Sequence, residues 1–200
     1  QLPGNLLEKA QRAAARDLQA VRPLNAPWRA ALGTAAVLAL VAVAVIGWKG
    51  VRGWEARLGW QRAASYGCAI GVLAFTLATA MRERIPGMSF SGPWRRVGTG
   101  LATLLWLGPF ALYLFQPEAP FWRHGLRCYS VGLMVGVAAS IALWLILRRG
   151  YITSPARAGW FAGLAAGSLA FLVQETYCPV VESAHSALWH GGVPATLCVW

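Results

Sequence analysis

The chain has 200 residues, 57% of them hydrophobic and only 12% charged, with a net charge of +11 and four cysteines. So little charge excludes an ordinary soluble domain, in which about a quarter of the residues are charged. The basic residues are spread between apolar runs rather than gathered on one recognition face, which argues against direct nucleic-acid binding. The apolar runs recur to the last residue, unlike a signal peptide followed by a soluble chain.

Residues 1–29 are the one sizeable segment outside these runs. Asn5 is placed to cap a helix, and Leu6, Leu7, Ala10, Ala14 and Leu18 recur near helical spacing with Lys9, Arg12 and Arg16 between them. Pro23 stops the pattern. The expectation is a short amphipathic helix over roughly 5–20, which either lies among lipid headgroups or docks in a groove of a cytosolic partner. A start at Gln1 without Met, and an end at Trp200 without a basic tail, lead us to expect further native chain at either end.

From charge to charge, uncharged stretches cover 30–48, 63–81, 97–117, 128–147, 158–174 and 183–200. Each approaches the roughly 20 residues that a helix needs to cross a bilayer core. Trp28, Trp48, Trp60, Trp94, Trp122 and Trp160 fall at run edges, where indole rings favour the interface. The predicted fold is an all-α integral-membrane bundle of six helices at about 30–48, 63–81, 97–117, 126–147, 158–175 and 183–200, preceded by the segment 1–29. With the N-terminus cytoplasmic, twelve Lys and Arg residues fall on the inner side and six outside, so the positive-inside rule predicts N-in and C-in.

Gly159, Gly163 and Gly167 repeat at fourth positions, as do the pairs Gly67/Gly71 and Gly132/Gly136, and are expected to be close-packing faces. Pro109 predicts a kink in the third span. No internal repeat supports an inverted-repeat transporter, and the uncharged stretches hold no Asp, Glu, Lys or Arg to relay ions, with His190 the one ionisable group placed at depth.

Phosphate-binding loops, nucleophile elbows and zincin motifs are absent. Polar chemistry concentrates in "ETYCPVVESAHSALWH", residues 175–190. An enzyme would have to build its site from Cys178, Glu182, His185 and His190, with Glu175 and His124 in addition; a Cys–His pair there could activate a nucleophile, but the sequence shows no third group that orients the base, and we do not expect an enzyme.

Cys178, Glu182, His185 and His190 offer thiolate, carboxylate and imidazole ligands that suit zinc or copper. On a continuous α-helix started by Pro179, however, His190 lies about 140° around from His185. The competing account makes Glu182 a helix-start residue and the two histidines interfacial or bonded to a neighbour. Redox chemistry is a third option. Cys128 and Cys178 fall at similar depth on the outer side, but whether their Cα atoms come within the ~7 Å that a disulfide needs is not set by sequence. Cys68 and Cys198 are expected to be packing residues.

Three stretches carry a resemblance: "VRPLNAPWR", "RCYSVGLMVG" and "RRGYITSPARAGWFAGLAAGSLAFLVQETYCPVVESAHSALWH". With Cys128 at the head of the fourth span and Cys178, Pro179, Trp189 and His190 near the last, the chain resembles the NrsF-type integral-membrane anti-sigma factors. The resemblance implies a multi-pass protein of the bacterial inner membrane whose partner is an extracytoplasmic-function sigma factor, with no small-molecule substrate. It places partner binding in the N-terminal segment, with Leu6, Leu7, Arg12, Arg16, Leu18 and Arg22 as contacts, and metal or oxidative-stress sensing at Cys128 and Cys178. The alternative is a metal-binding or metal-transporting membrane protein that uses Cys178, Glu182, His185 and His190.

Overall fold

The structure is a computed structural model that describes residues 8–9, 11–12, 26–88, 92–94, 96–100, 103, 125–150, 152, 154–180 and 185–199. Every element assigned among these residues is helical. In chain order they are α1 (Pro27–Lys49), α2 (Arg52–Ala56), α3 (Gly59–Glu83), α4 (Gly125–Leu147), α5 (Pro155–Tyr177), a π-helical turn (Ser186–His190) and α6 (Gly192–Val199). Four of them, α1, α3, α4 and α5, are long and apolar enough to cross a membrane. At 23 residues, α1, α4 and α5 each reach about 35 Å, enough for a hydrocarbon core of about 30 Å.

These helices start and stop where backbone chemistry dictates. Pro27 and Pro155 stand in the first turns of α1 and α5, where a missing N–H costs nothing. α1 ends at Gly50, whose φ of 85° lets its N–H reach back to the Ile46 carbonyl at 2.7 Å. At the start of α3 the Leu58 N–H donates to the Gln61 side chain at 3.0 Å. The helices run further than the uncharged stretches because α3 carries Arg62 at one end and Arg82 and Glu83 at the other.

α5 forms the centre of the bundle. Phe161, Leu164, Ala165, Ala166, Leu169, Ala170 and Val173 are all buried in it, and α1, α3, α4 and α6 pack around it. Gly163 and Gly167 lie against Leu197 and Pro194 of α6, where a Cβ would collide with backbone. Gly67, Gly71 and Gly159 meet nothing within 4 Å, so small residues at helical spacing there do not form the packing faces expected of them.

By contrast, among its described side chains α1 buries only Thr34 and Leu38, and Leu40 and Trp48 are each 70% exposed. An apolar helix left so bare suits lipid better than water. The buried threonines of α3 are satisfied locally: Thr76 and Thr79 donate to the Val72 and Phe75 carbonyls one turn back, at 2.6 and 2.7 Å.

Of the long helices, α1 and α5 run toward the thiol end of the bundle, whereas α3 and α4 both run away from it. Gly53, just after α1, abuts the C-terminal end of α5 at Glu175 and Cys178, and Cys128, in the first turn of α4, meets Cys178 there as well. At the opposite end the close of α3 meets the start of α5 through Glu83 and Arg157, 3.3 Å apart, and Thr34 near the start of α1 reaches Met81.

The predicted third span, 97–117, and Pro109 lie outside the described residues except for 97–100 and 103, which are helical. Of the N-terminal segment, Glu8, Lys9, Gln11 and Arg12 are described as helical, with an exposed Glu8–Arg12 ion pair at 2.9 Å, and its last residues, from Ala26 to Arg29, already form the cap and first turn of α1. The predicted partner contacts Leu6, Leu7, Arg16, Leu18 and Arg22 fall outside the described residues.

Candidate functional site

Three elements converge at the thiol end of the bundle. α5 ends at Tyr177, and Cys178 caps it with its N–H on the Gln174 carbonyl at 2.9 Å. Cys178 therefore closes α5 rather than opening the next helix, because Pro179 and Val180 are in no helix. α4 brings in Cys128 from its first turn. The two sulfurs, fifty positions apart in sequence, lie 3.3 Å from each other and are both buried.

The π turn supplies the histidines. Its i→i+5 hydrogen bond, from the Gly191 N–H to the Ser186 carbonyl at 2.9 Å, widens the helix so that residues five apart stack on one face. His185 and His190, expected to diverge on a 3.6-residue helix, instead stand with ring centroids 5.1 Å apart at 87°. His185 Nε2 is 3.5 Å from the Cys178 sulfur. The ligand atoms of Cys128, Cys178, His185 and His190 all lie within 4.8 Å of one another, and all four residues are buried. Glu182, predicted as a ligand, falls outside the described residues, as does His124.

Behind His190 stands a buried ion pair that the sequence did not single out. Glu175 Oε1 is 2.7 Å from His190 Nδ1, and Glu175 Oε2 is 2.8 Å from Arg57 Nε. The Arg57 guanidinium also donates through Nη1 to the carbonyls of Gly53 at 2.9 Å, Glu175 at 2.6 Å and Cys178 at 3.3 Å. It can do so because Gly53 has no side chain: a Cβ there would collide with the backbone oxygens of Glu175 and Cys178.

Two further side chains lock the frame. Gln174 donates to the Cys128 carbonyl at 2.9 Å and the Trp189 carbonyl at 3.3 Å, tying α5 to both α4 and the π turn. Tyr177 also donates to the Cys128 carbonyl, at 3.3 Å. The Cys178 thiol is pushed above its ordinary pKa, first by its hydrogen bond with Cys128 and then by burial.

The donor set fits a soft or borderline metal. In a tetrahedral site with bonds of 2.0–2.3 Å, ligand atoms stand roughly 3.3–3.8 Å apart, a spacing already met by Cys128–Cys178 and Cys178–His185. His190 is 0% exposed, and among the described residues its Nε2 has no hydrogen-bond partner although its Nδ1 is held by Glu175. An orphaned buried nitrogen is costly unless something takes its lone pair or proton. One imidazole nitrogen held by a carboxylate with the other left open is the usual outer-shell arrangement of a metal-bound histidine.

Of the remaining thiols, Cys198 is half-buried beside the Trp160 carbonyl, whereas Cys68 is exposed and does not pack inside the bundle.

A family model described as "Negative regulator of sigma F", NrsF, matches residues 15–199. No curated protein and no solved structure matches the chain.

Proposed function

The chain belongs to the NrsF family of negative regulators of sigma F, and we propose that it is a multi-pass anti-sigma factor of the bacterial inner membrane. In this reading residues 1–29 hold an extracytoplasmic-function sigma factor on the cytoplasmic side. Metal or oxidant arriving at Cys128 and Cys178 on the outer side releases it.

The observation that carries the sensing half is the 3.3 Å approach of two thiols from different helices, next to two histidines. Such a pair can share a metal ion or be oxidised together. The parallel directions of α3 and α4 support the six-span, N-in and C-in topology. α3 ends away from the thiol end and α4 begins at it, so the chain between them changes sides. α6 then runs back along α5 from the thiol end. The first outer loop, rich in basic residues, also conforms better than its sequence suggests, because Arg57 is buried against Glu175 and its charge is neutralised there.

The route from sensor to output is short in sequence. Arg57 follows α1 by eight positions and bonds the end of α5 that bears Cys178, while α1 leads back to the N-terminal segment. A protein of this kind is a regulator with a protein partner rather than an enzyme.

Co-expression tests the output: the full chain in detergent should retain its sigma factor, and a chain lacking residues 1–25 should not. For the input, Cys128→Ser and Cys178→Ser should each abolish release by zinc, cadmium or peroxide while leaving retention intact. Retention by the shortened chain, or unchanged release by both variants, would sink the respective half.

A further inference from the structure

We infer that Cys128, Cys178, His185 and His190 form a closed four-coordinate site for a divalent ion of the zinc class, with Glu175 and Arg57 as the buried pair that holds and neutralises it. This rests on the preceding reading for the consequence of binding, but not for binding itself.

The first argument is charge. The site is dry: His190 is 0% exposed, Cys178 1%, His185 5% and Cys128 7%. As each sulfur–metal bond forms, its thiol gives up a proton, so two protons leave for each ion bound. A divalent ion with two thiolates and two neutral imidazoles is neutral. Glu175 is cancelled by Arg57 at 2.8 Å, so the whole buried cluster sums to zero. A cuprous ion in the same ligands would leave one net negative charge with no counter-ion at that depth, which is expensive in a low-dielectric interior.

The second argument is orientation. The Glu175 carboxylate accepts a hydrogen bond from the Nδ1–H of His190 and so leaves the lone pair of Nε2, which has no partner among the described residues, for the ion. Glu175 is itself fixed by Arg57, whose other bonds go to backbone carbonyls rather than to mobile side chains. Arg57 and Glu175 are thus positioning residues, since neither offers the ion a ligand.

The third is geometry. Four ligands from three elements leave no open coordination position for substrate or water, the form taken by structural and sensory zinc sites rather than catalytic ones. A d10 ion with no preferred geometry suits a site whose shape is set by the protein.

Purified full-length protein, reduced and in detergent, should bind one zinc ion per chain against a competing chelator. Cobalt(II) in its place should give the thiolate charge-transfer absorption and the intense visible bands of a tetrahedral S2N2 centre. Cys128→Ser should weaken zinc by at least a hundredfold and alter the cobalt spectrum. Glu175→Gln should weaken it about 10–100-fold, the usual loss when an outer-shell partner is removed. The double variant Glu175→Gln/Arg57→Met, which carries no unpaired buried charge, should show the same loss if Glu175→Gln alone fails to fold.

Absence of stoichiometric zinc in the reduced chain overturns the inference. So does undiminished binding by Cys128→Ser, or selective uptake of copper(I) with none of zinc. A chain that binds zinc yet retains no sigma factor removes the anti-sigma reading and leaves this site standing, whereas retention without zinc does the reverse.

Discussion

Two buried carboxylates sit at opposite ends of the bundle, and they are treated differently. Glu175, at the thiol end, has both oxygens occupied, one by His190 and one by Arg57, and Arg57 is only 4% exposed. Glu83, at the other end, is equally buried, but its ionic partner among the described residues, Arg157, stands 3.3 Å away with its side chain 39% exposed, and neither Glu83 oxygen accepts a hydrogen bond from those residues. Nearby Arg84 is also buried; burial first, and then Arg149, pull its pKa below the ordinary guanidinium range. A fully paired charge fixes geometry, whereas a loosely paired one leaves an element free to adjust. The thiol end is therefore built as a rigid receptor and the opposite end as the more adaptable one.

The largest expected effect comes from breaking the tight pair. Arg57→Met strands the Glu175 carboxylate in a dry site, and removing one partner of a buried pair costs about 3–5 kcal/mol. Unfolding in mixed micelles should show a loss of that order. Arg57→Met/Glu175→Gln should recover much of it, because no buried charge is left alone. A single variant within about 1 kcal/mol of the parent would show that His190 alone can hold Glu175, and the contrast between the two ends would collapse.

A smaller effect is expected at Glu83. Glu83→Gln removes a charge that is poorly satisfied and whose partner can turn to water, so stability should stay within about 1 kcal/mol of the parent. The same substitution at Glu175 should be clearly destabilising, since it leaves Arg57 unpaired. Equal losses at the two positions would mean that both ends are equally rigid.

The contrast was only partly legible in sequence. The helices α1, α3, α4 and α5 follow from where charges interrupt apolar runs, and their ends extend into flanking residues such as Arg62 and Glu83 because a helix continues through the interface. The approach of Cys128 to Cys178 was foreshadowed by their similar depth and by the family resemblance. A 3.6-residue turn sets His185 and His190 about 140° apart and so weighs against a shared site; a single π turn reverses that, and nothing in "SALWH" announces the turn. Arg57 was equally hidden. It reads as one more basic loop residue, and only the Gly53 contact, 122 positions from Glu175, turns it inward. Glu175 carried a faint signal, lying three positions before Cys178 and so one turn away on the same helix.

The smallest effect separates a thiol that belongs to the receptor from one that does not. Cys68 was expected to pack, but it is exposed on α3, away from the buried sulfurs. Cys68→Ala should therefore change stability by no more than about 0.5 kcal/mol, as for substitutions outside any packed or bonded feature, and should leave zinc stoichiometry at one per chain. Cys178→Ala removes a sulfur that is 1% exposed and in contact with both Cys128 and His185. It should lower the unfolding midpoint and abolish stoichiometric binding together. If Cys68→Ala moved either quantity as far as Cys178→Ala, the thiol that matters would lie on the outer face of α3, and the rigid receptor would have to be sought there instead.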